Sequence, residues 1–349
     1  MGKNIKAILC LTVTACLMLV SGCGRGRQNR SYTAEFYSVF DTMSTITVYT
    51  DSEEEFQTIA DKIENELTKY HQLYDIYHTY DGIANIKDIN DQAGIRPVEV
   101  SQDIIDLLKF GQEMYEKTDG MVNIAFGSVL KIWHDYREAG QNNPEEAQLP
   151  PMDALEEAYA HTDIDQMIID EEASTVYLAD ADMSLDVGAI AKGYATEKVA
   201  DMLEGQGISH VLLDIGGNIR AIGDKPDGTL WRLGLQNPDL DSDENYVHII
   251  ELESTSLVTS GDYQRYYTVN GKRYHHIIDP QTLMPSDRFT DVSVIYEDSG
   301  ISDAMSTALF NMDIEEGKAL AESVGAEVLW IFQDGSETMT DGFADYISE

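Results

Sequence analysis

The chain of 349 residues carries 63 Asp and Glu against 23 Lys and Arg, a formal net charge of −40. A surface of that sign repels a phosphate backbone. Nucleic acid is thereby excluded as a main partner, and any anionic ligand must be held by a local positive group such as a cation, a lysine or a helix N-terminus. The three cysteines, Cys10, Cys16 and Cys23, all precede residue 24, so the rest of the chain has no disulfide, thiol nucleophile or thiolate metal site.

Lys3 and Lys6 precede an apolar stretch from Ala7 to Val20 that is too short for a stable membrane span. It ends in Leu19-Val-Ser-Gly-Cys23, small residues ahead of a cysteine, which reads as a lipobox with cleavage after residue 22 and lipidation of Cys23. Removing 22 of 349 residues leaves 327, ample for one large domain or two smaller ones. Residues 23–35 hold Arg25, Arg27 and Arg30 among Gly, Gln, Asn and Ser, and read as a tether lying against anionic headgroups. The expectation is an exported protein, lipid-anchored to the outer face of a bacterial cytoplasmic membrane. Its folded part is expected over residues 36–349, with a candidate division into two lobes near 135–165.

Alternation and Thr, Val and Tyr content over Phe36 to Thr50 predict a strand or hairpin entry. Phe56, Ile59, Ile63, Leu67 and Tyr70 recur three and four apart, the pattern of an amphipathic helix from Glu53. Ser101 is the expected cap of a second helix to about Lys117, stopped at Gly120, and Asn143 to Asp165 reads as an acidic excursion containing a short helix. A strand is expected from Val176 to Leu185, feeding a helix through Gly188 and Gly193, and another over His210 to Ile222, broken at Gly216-Gly217. Asn270-Gly271 between two β-rich runs is a hairpin signal. Val292 to Tyr296 reads as a late strand, and Ser302 to Met312 as a helix with Ser302 as N-cap. The fold class is α/β (mixed α+β), a mixed sheet with packed helices and its denser part in the last 180 or so residues.

Three constellations carry chemistry. Asp303 and Thr307 stand one helical turn apart, and a carboxylate with a hydroxyl suits Mg²⁺, which takes its other oxygens from phosphate and water. A carboxylate complementing the helix dipole beside a back-bonded threonine accounts for the same pair. Asp186-Val-Gly-Ala-Ile-Ala-Lys192 places a lysine and free backbone N–H groups where a strand turns into a helix, a geometry suited to a diphosphate, or simply a tight turn with a surface lysine. In Tyr274-His-His-Ile-Ile-Asp-Pro280 alternation lets only one histidine face a site. His276, Asp279 and the upstream Ser260-Gly-Asp-Tyr263 then offer a general base and its orienter, unless the histidine merely completes the hairpin. No His–x₃–His pair implies zinc.

Seven fragments, in order along the chain, resemble the ApbE family of FAD:protein FMN transferases: Phe40 to Thr45, Thr118 to Asn123, Ser184 to Ala195, Leu213 to Ile219, Thr259 to Tyr263, Tyr274 to Pro280 and Ser302 to Asn311. The resemblance implies an ApbE (T-fold-like) architecture. It also implies an Mg²⁺-dependent enzyme that joins FMN from FAD to a threonine or serine of an exported redox protein and releases AMP. It places Met43, Tyr80, Met121, Val122, Asn123, Asp186, Lys192 and Ile277 at FAD, the Ala189 carbonyl with Asp303 and Thr307 at Mg²⁺, and His276 in catalysis. Ser44 stands where the family usually has glycine. The expected partner carries a Ser/Thr-Gly-Ala-Thr-like site, a stretch this chain lacks. An FAD pyrophosphatase yielding free FMN and AMP, or a flavin-binding lipoprotein without catalysis, would share these features.

Overall fold

Strands β1 (Arg30–Val39) and β2 (Thr42–Thr50) form the first hairpin of a computed structural model that describes residues 29–348. The lipobox, Cys23, Arg25 and Arg27 lie outside the described residues. β1 begins at Arg30, inside the stretch read as tether, because Tyr32, Ala34 and Phe36 alternate toward the core and pair across to β2. Its turn residues Phe40 and Asp41 both adopt the left-handed region (φ 52 and 50), the type I′ geometry that glycine and asparagine usually supply.

Helix α1 (Glu53–Tyr74) buries the predicted stripe and continues one turn beyond it, with Ser52 accepting from the Glu55 N–H as cap. After α2 (Ile86–Asp91) and β3 (Val98–Glu99), α3 (Gln102–Lys117) starts as predicted, although the Ser101 side chain makes no capping bond. The 135–165 stretch holds the end of α4 (Gly127–Asn142) and the short α5 (Met152–Tyr159). β4 (Met167–Asp170) and β5 (Thr175–Leu178) complete a small sheet with β3. β5 stops seven residues before Leu185, because the Asp180 carboxylate accepts from the Asp182 N–H and turns the chain.

Next come α6 (Ala191–Gly205), β6 (Val211–Ile215), β7 (Asn218–Ile222), the β8 (Trp231–Gln236) and β9 (Tyr246–Leu252) ribbon, and β10 (Ser256–Gly261). β11 (Tyr266–Val269) and β12 (Lys272–His275) flank Asn270-Gly271, both at positive φ as a type I′ turn requires. β13 (Phe289–Tyr296), α7 (Ser299–Asn311), α8 (Ile314–Val324), β14 (Glu327–Phe332) and β15 (Glu337–Met339) close the chain. Eight strands make one antiparallel sheet in the order β1-β2-β6-β7-β10-β13-β14-β15. The main sheet is therefore not confined to the last 180 residues; the N-terminal hairpin forms its edge, and strands on both sides of 135–165 share it.

Helix α7 begins three residues earlier than expected. Asp298, not Ser302, is its cap and accepts from the Ile301 N–H at 2.9 Å. Ser302 is buried and faces the sheet, with its Oγ 2.7 Å from Ser256 Oγ on β10; Ser306, one turn on, lies 2.8 Å from Ser260 Oγ. These pairs satisfy polar groups that burial would otherwise leave costly, and they fix α7 against β10.

The same sheet holds a buried acid, Asp291 on β13. Its carboxyl is hydrogen-bonded by Ser293 Oγ and Tyr263 Oη, both at 3.0 Å, yet burial pushes it from 3.8 up to about 7. The folded chain thus retains a proton that the unfolded chain releases. That contribution is complete below about pH 4 and is lost as the pH rises toward 7, on the order of 4 kcal/mol in all. Asp291→Asn should flatten this slope and stabilise the protein at pH 8 relative to wild type. Denaturant unfolding at pH 5 and pH 8 reads it, and an Asp291→Asn effect independent of pH would show that the carboxyl is ionised throughout.

Candidate active site

The turn before α6 is built by its own sequence. The Asp186 N–H donates to the Ile124 carbonyl at 2.8 Å, and its Oδ1 accepts from the Gly188 N–H at 2.8 Å, curling the chain into the helix. The residue at the N-cap, Ile190, has no side-chain acceptor, so the first turn needs one from elsewhere. Asp303 of α7 supplies it: Oδ2 accepts from the Gly193 N–H at 2.8 Å while Oδ1 lies 3.7 Å from Lys192 Nζ. One carboxylate caps α6 and faces its lysine.

Gly193 makes this possible. A Cβ there would stand 2.2 Å from the Ser299 carbonyl oxygen and 2.4 Å from Asp303 Cβ, so only glycine lets the two helices approach this closely. Burial pushes the Asp303 carboxyl up, opposed by Lys192, the Gly193 N–H and a hydrogen bond from Asn218. Thr307, one turn on, is half-buried beside it.

Around this junction the predicted residues gather in groups. Asn123 ties its loop down, with Nδ2 donating to the Thr162 carbonyl and Oδ1 accepting from the Ala125 N–H; next to it, Asp186 bonds to Ile124. Met121 and Asn123 line a 380 Å³ cavity with Tyr115, Tyr159, Thr162 and Pro280. Val122 is a core side chain and reaches a ligand only through its backbone, and Ile277 is likewise buried, beside Met121. Tyr80 donates to Asp75 Oδ2 at 2.7 Å, and its ring meets His71, which in turn meets Phe40; Met43 follows in that segment and is 54 % exposed.

The two histidines divide as alternation requires. His275 is buried: Nε2 donates to the Ser286 carbonyl at 2.5 Å and Nδ1 accepts from the Ile277 N–H, which sets its neutral tautomer. His276 follows β12, and its Nδ1 is buried without a partner. Burial first, then the charges of Arg265, Arg137 and Lys192, push its pKa down to about 3, so the ring is neutral. Asp279 spends Oδ1 on the Gln281 N–H at 2.8 Å and pins the turn that follows.

Sequence reasoning missed Asn218, which bonds Asp303 from the start of β7, and the cations Arg137 on α4 and Arg265 before β11. Asn218 stands inside the Leu213 to Ile219 fragment, whereas only the rarity of arginine in an acidic chain could have drawn notice to Arg137 and Arg265. It also passed over a separate cluster, His161, Asp180 and Asp182, with ligand atoms within 4.8 Å of one another. Within it His161 and Asp180 already share a 2.7 Å hydrogen bond, and the cluster is remote from Asp303 and Thr307 in the sequence.

The ApbE family model matches residues 40–330. A Klebsiella pneumoniae protein named FAD:protein FMN transferase is 32 % identical over 264 residues, 75 % of this chain and 78 % of its own. A Treponema pallidum protein of the same name is 31 % identical over 352 residues, 96 % of this chain and 94 % of its own. Among solved structures, the ApbE protein of Thermotoga maritima superposes with a TM-score of 0.80 at 28 % identity, covering 92 % of this chain and 100 % of that one. The apo flavinyl transferase ApbE of Pseudomonas stutzeri superposes with a TM-score of 0.76 at 25 % identity, covering 92 % and 98 %. With the family model spanning residues 40–330 and relatives 31–32 % identical over most of its length, this chain belongs to the ApbE family.

Proposed function

We propose that the protein transfers FMN from FAD to a serine or threonine hydroxyl of an exported redox protein and releases AMP. The observation that carries this reading is the meeting of α6 and α7, where Lys192, the capped helix terminus and Asp303 form one polar junction in a chain of this family. The acceptor oxygen attacks the FMN-side phosphorus, the bond from that phosphorus to the bridging oxygen breaks, and AMP leaves with that oxygen. The hydroxyl proton goes to the neutral His276, whose basicity rises as the anionic substrate offsets the cations beside it. Asp279 positions His276 by holding the following turn and does not itself take the proton.

The residues fit a divalent cation. Asp303 Oδ1 is beyond hydrogen-bond reach of Lys192, Thr307 adds a hydroxyl one turn away, and the Ala189 carbonyl lies in the turn before α6, so the donors are hard oxygens. Bound there, Mg²⁺ would supply charge neutralisation at the diphosphate. Lys192 and the first turn of α6 orient the same group, while Met43, Tyr80, Met121, Asn123 and Asp186, with the backbone at Val122 and Ile277, line the path of the flavin and adenosine.

Lipidation at Cys23 would keep the enzyme at the membrane face where exported acceptors arrive. The direct test takes protein starting after Cys23 with FAD, Mg²⁺ and an acceptor domain bearing a Ser/Thr-Gly-Ala-Thr-like stretch. Intact-mass spectrometry should show an FMN adduct on the acceptor with stoichiometric AMP. Free FMN and AMP without adduct would replace the transferase by a pyrophosphatase. FAD bound but unchanged would replace it by a binding protein.

A further inference from the structure

The β11–β12 register pairs Tyr266 with His275 at the end of the ladder, and Arg265 and His276 are the residues that follow just beyond it on the two strands. Helix α4 abuts the same end of this hairpin. Gln141 Nε2 donates to the Tyr266 carbonyl at 2.8 Å, and a Cβ on Gly140 would stand 2.5 Å from the Tyr267 ring. Arg137 lies one turn before Gln141 and so shares that face. It is half-buried, with its Nη2 3.1 Å from His134 Nδ1, and His134 in turn meets the Tyr77 ring at 5.3 Å. The α4 face and the hairpin thus bring two guanidiniums to the end of β12 where the unpartnered His276 Nδ1 lies.

Among the described residues neither arginine has a carboxylate within salt-bridge distance, although acidic side chains outnumber basic ones by 63 to 23. Arg220 and Arg232 do have one, while Arg96, Arg273 and Arg288 likewise have none. Arg137, half-buried without an anion, is poorly solvated and unpaired, the condition of a group whose partner is a ligand, whereas Arg265 is exposed at the end of the hairpin. The two positive charges bear on His276 alongside that of Lys192, and that of Arg137 also bears on Asp186.

We propose that Arg137 and Arg265 form a second cationic wall of the site, opposite Lys192 and the α6 terminus, that grips the diphosphate of the nucleotide substrate. This rests on FAD being the substrate. Planar guanidiniums present paired N–H donors that match the non-bridging oxygens of a phosphate, which lysine, a point charge, does not. Gripping the diphosphate from both sides would hold the FMN-side phosphorus in front of His276, in a protein whose overall field repels the dinucleotide.

The test measures FAD and riboflavin binding by flavin fluorescence for wild type, Arg137→Gln, Arg265→Gln and the two Lys variants, with thermal unfolding as the check on folding. Each Gln variant should weaken FAD about tenfold or more and leave riboflavin, which has no phosphate, unchanged. The Lys variants should recover part of the loss, and the wild-type preference for FAD should shrink as salt rises. Unchanged FAD affinity in both Gln variants, equal losses for FAD and riboflavin, or a rise in acceptor KM alone would each overturn the assignment. Wild-type protein that binds no FAD would instead remove the transferase reading, and this inference with it.

Discussion

Asp303→Asn should leave the protein as stable as wild type while lowering turnover by two to three orders of magnitude, and Asp303→Ala should lower both. The separation follows from the cap that Asp303 provides and the metal ligation proposed for the same carboxylate. Capping α6 needs only an oxygen that accepts from the Gly193 N–H, and the amide oxygen of asparagine provides it. Asparagine also removes a buried charge that the site disfavours, since burial pushes the Asp303 carboxyl up. Facing Lys192 and ligating a cation need the negative charge, which asparagine lacks. A metal-assisted phosphoryl transfer without it forfeits several kcal/mol of transition-state stabilisation, and ~1.4 kcal/mol is a factor of ten. Alanine leaves the N-terminus of α6 uncapped as well, at about 1 kcal/mol. Turnover with FAD and thermal unfolding together decide it. Full activity in Asp303→Asn would refute the metal assignment, and equal destabilisation of both variants would refute the cap.

What the sequence made legible was local. The stripe from Phe56 to Tyr70 and the Asn270-Gly271 turn each state their structure within a dozen residues, because 3.6-residue spacing and two left-handed positions leave few alternatives. The start of α7 was not legible in the same way. Asp298 and Ser302 are both good caps four residues apart, and what decides between them is β10, which takes Ser302 into the buried Ser256 pair and leaves Asp298 to reach the Ile301 N–H. Several of the seven motifs meet in space: Gly216 approaches Thr42 of the first, Asn218 bonds Asp303, and Asn311 donates to the Ile278 carbonyl. Arg137 and Arg265 stayed hidden because their meaning depends on how α4 packs against β11, a long-range contact with no local signature.

Gly193→Ala should destabilise the protein by about 1–3 kcal/mol, whereas Gly205→Ala, at the other end of the same helix, should stabilise it by up to about 1 kcal/mol. Both glycines sit in a right-handed helix where alanine is intrinsically preferred, so propensity alone predicts a gain at each. Space reverses the sign at one of them. The added carbon at Gly205 meets nothing within 4 Å; at Gly193 it would press on a backbone carbonyl and on Asp303 Cβ, neither the tip of a flexible side chain. Relief requires α6 and α7 to part by roughly an ångström, a shift that carries the Asp303 carboxylate away from the Gly193 N–H and Lys192. Activity should therefore fall further than stability, since a displacement of that size at a reacting centre costs about a hundredfold. Paired unfolding and turnover measurements on the two variants give the answer. Two variants that both gain stability would mean that the helices are not in contact at Gly193, and a Gly193→Ala protein that is destabilised yet fully active would separate the close approach from the chemistry.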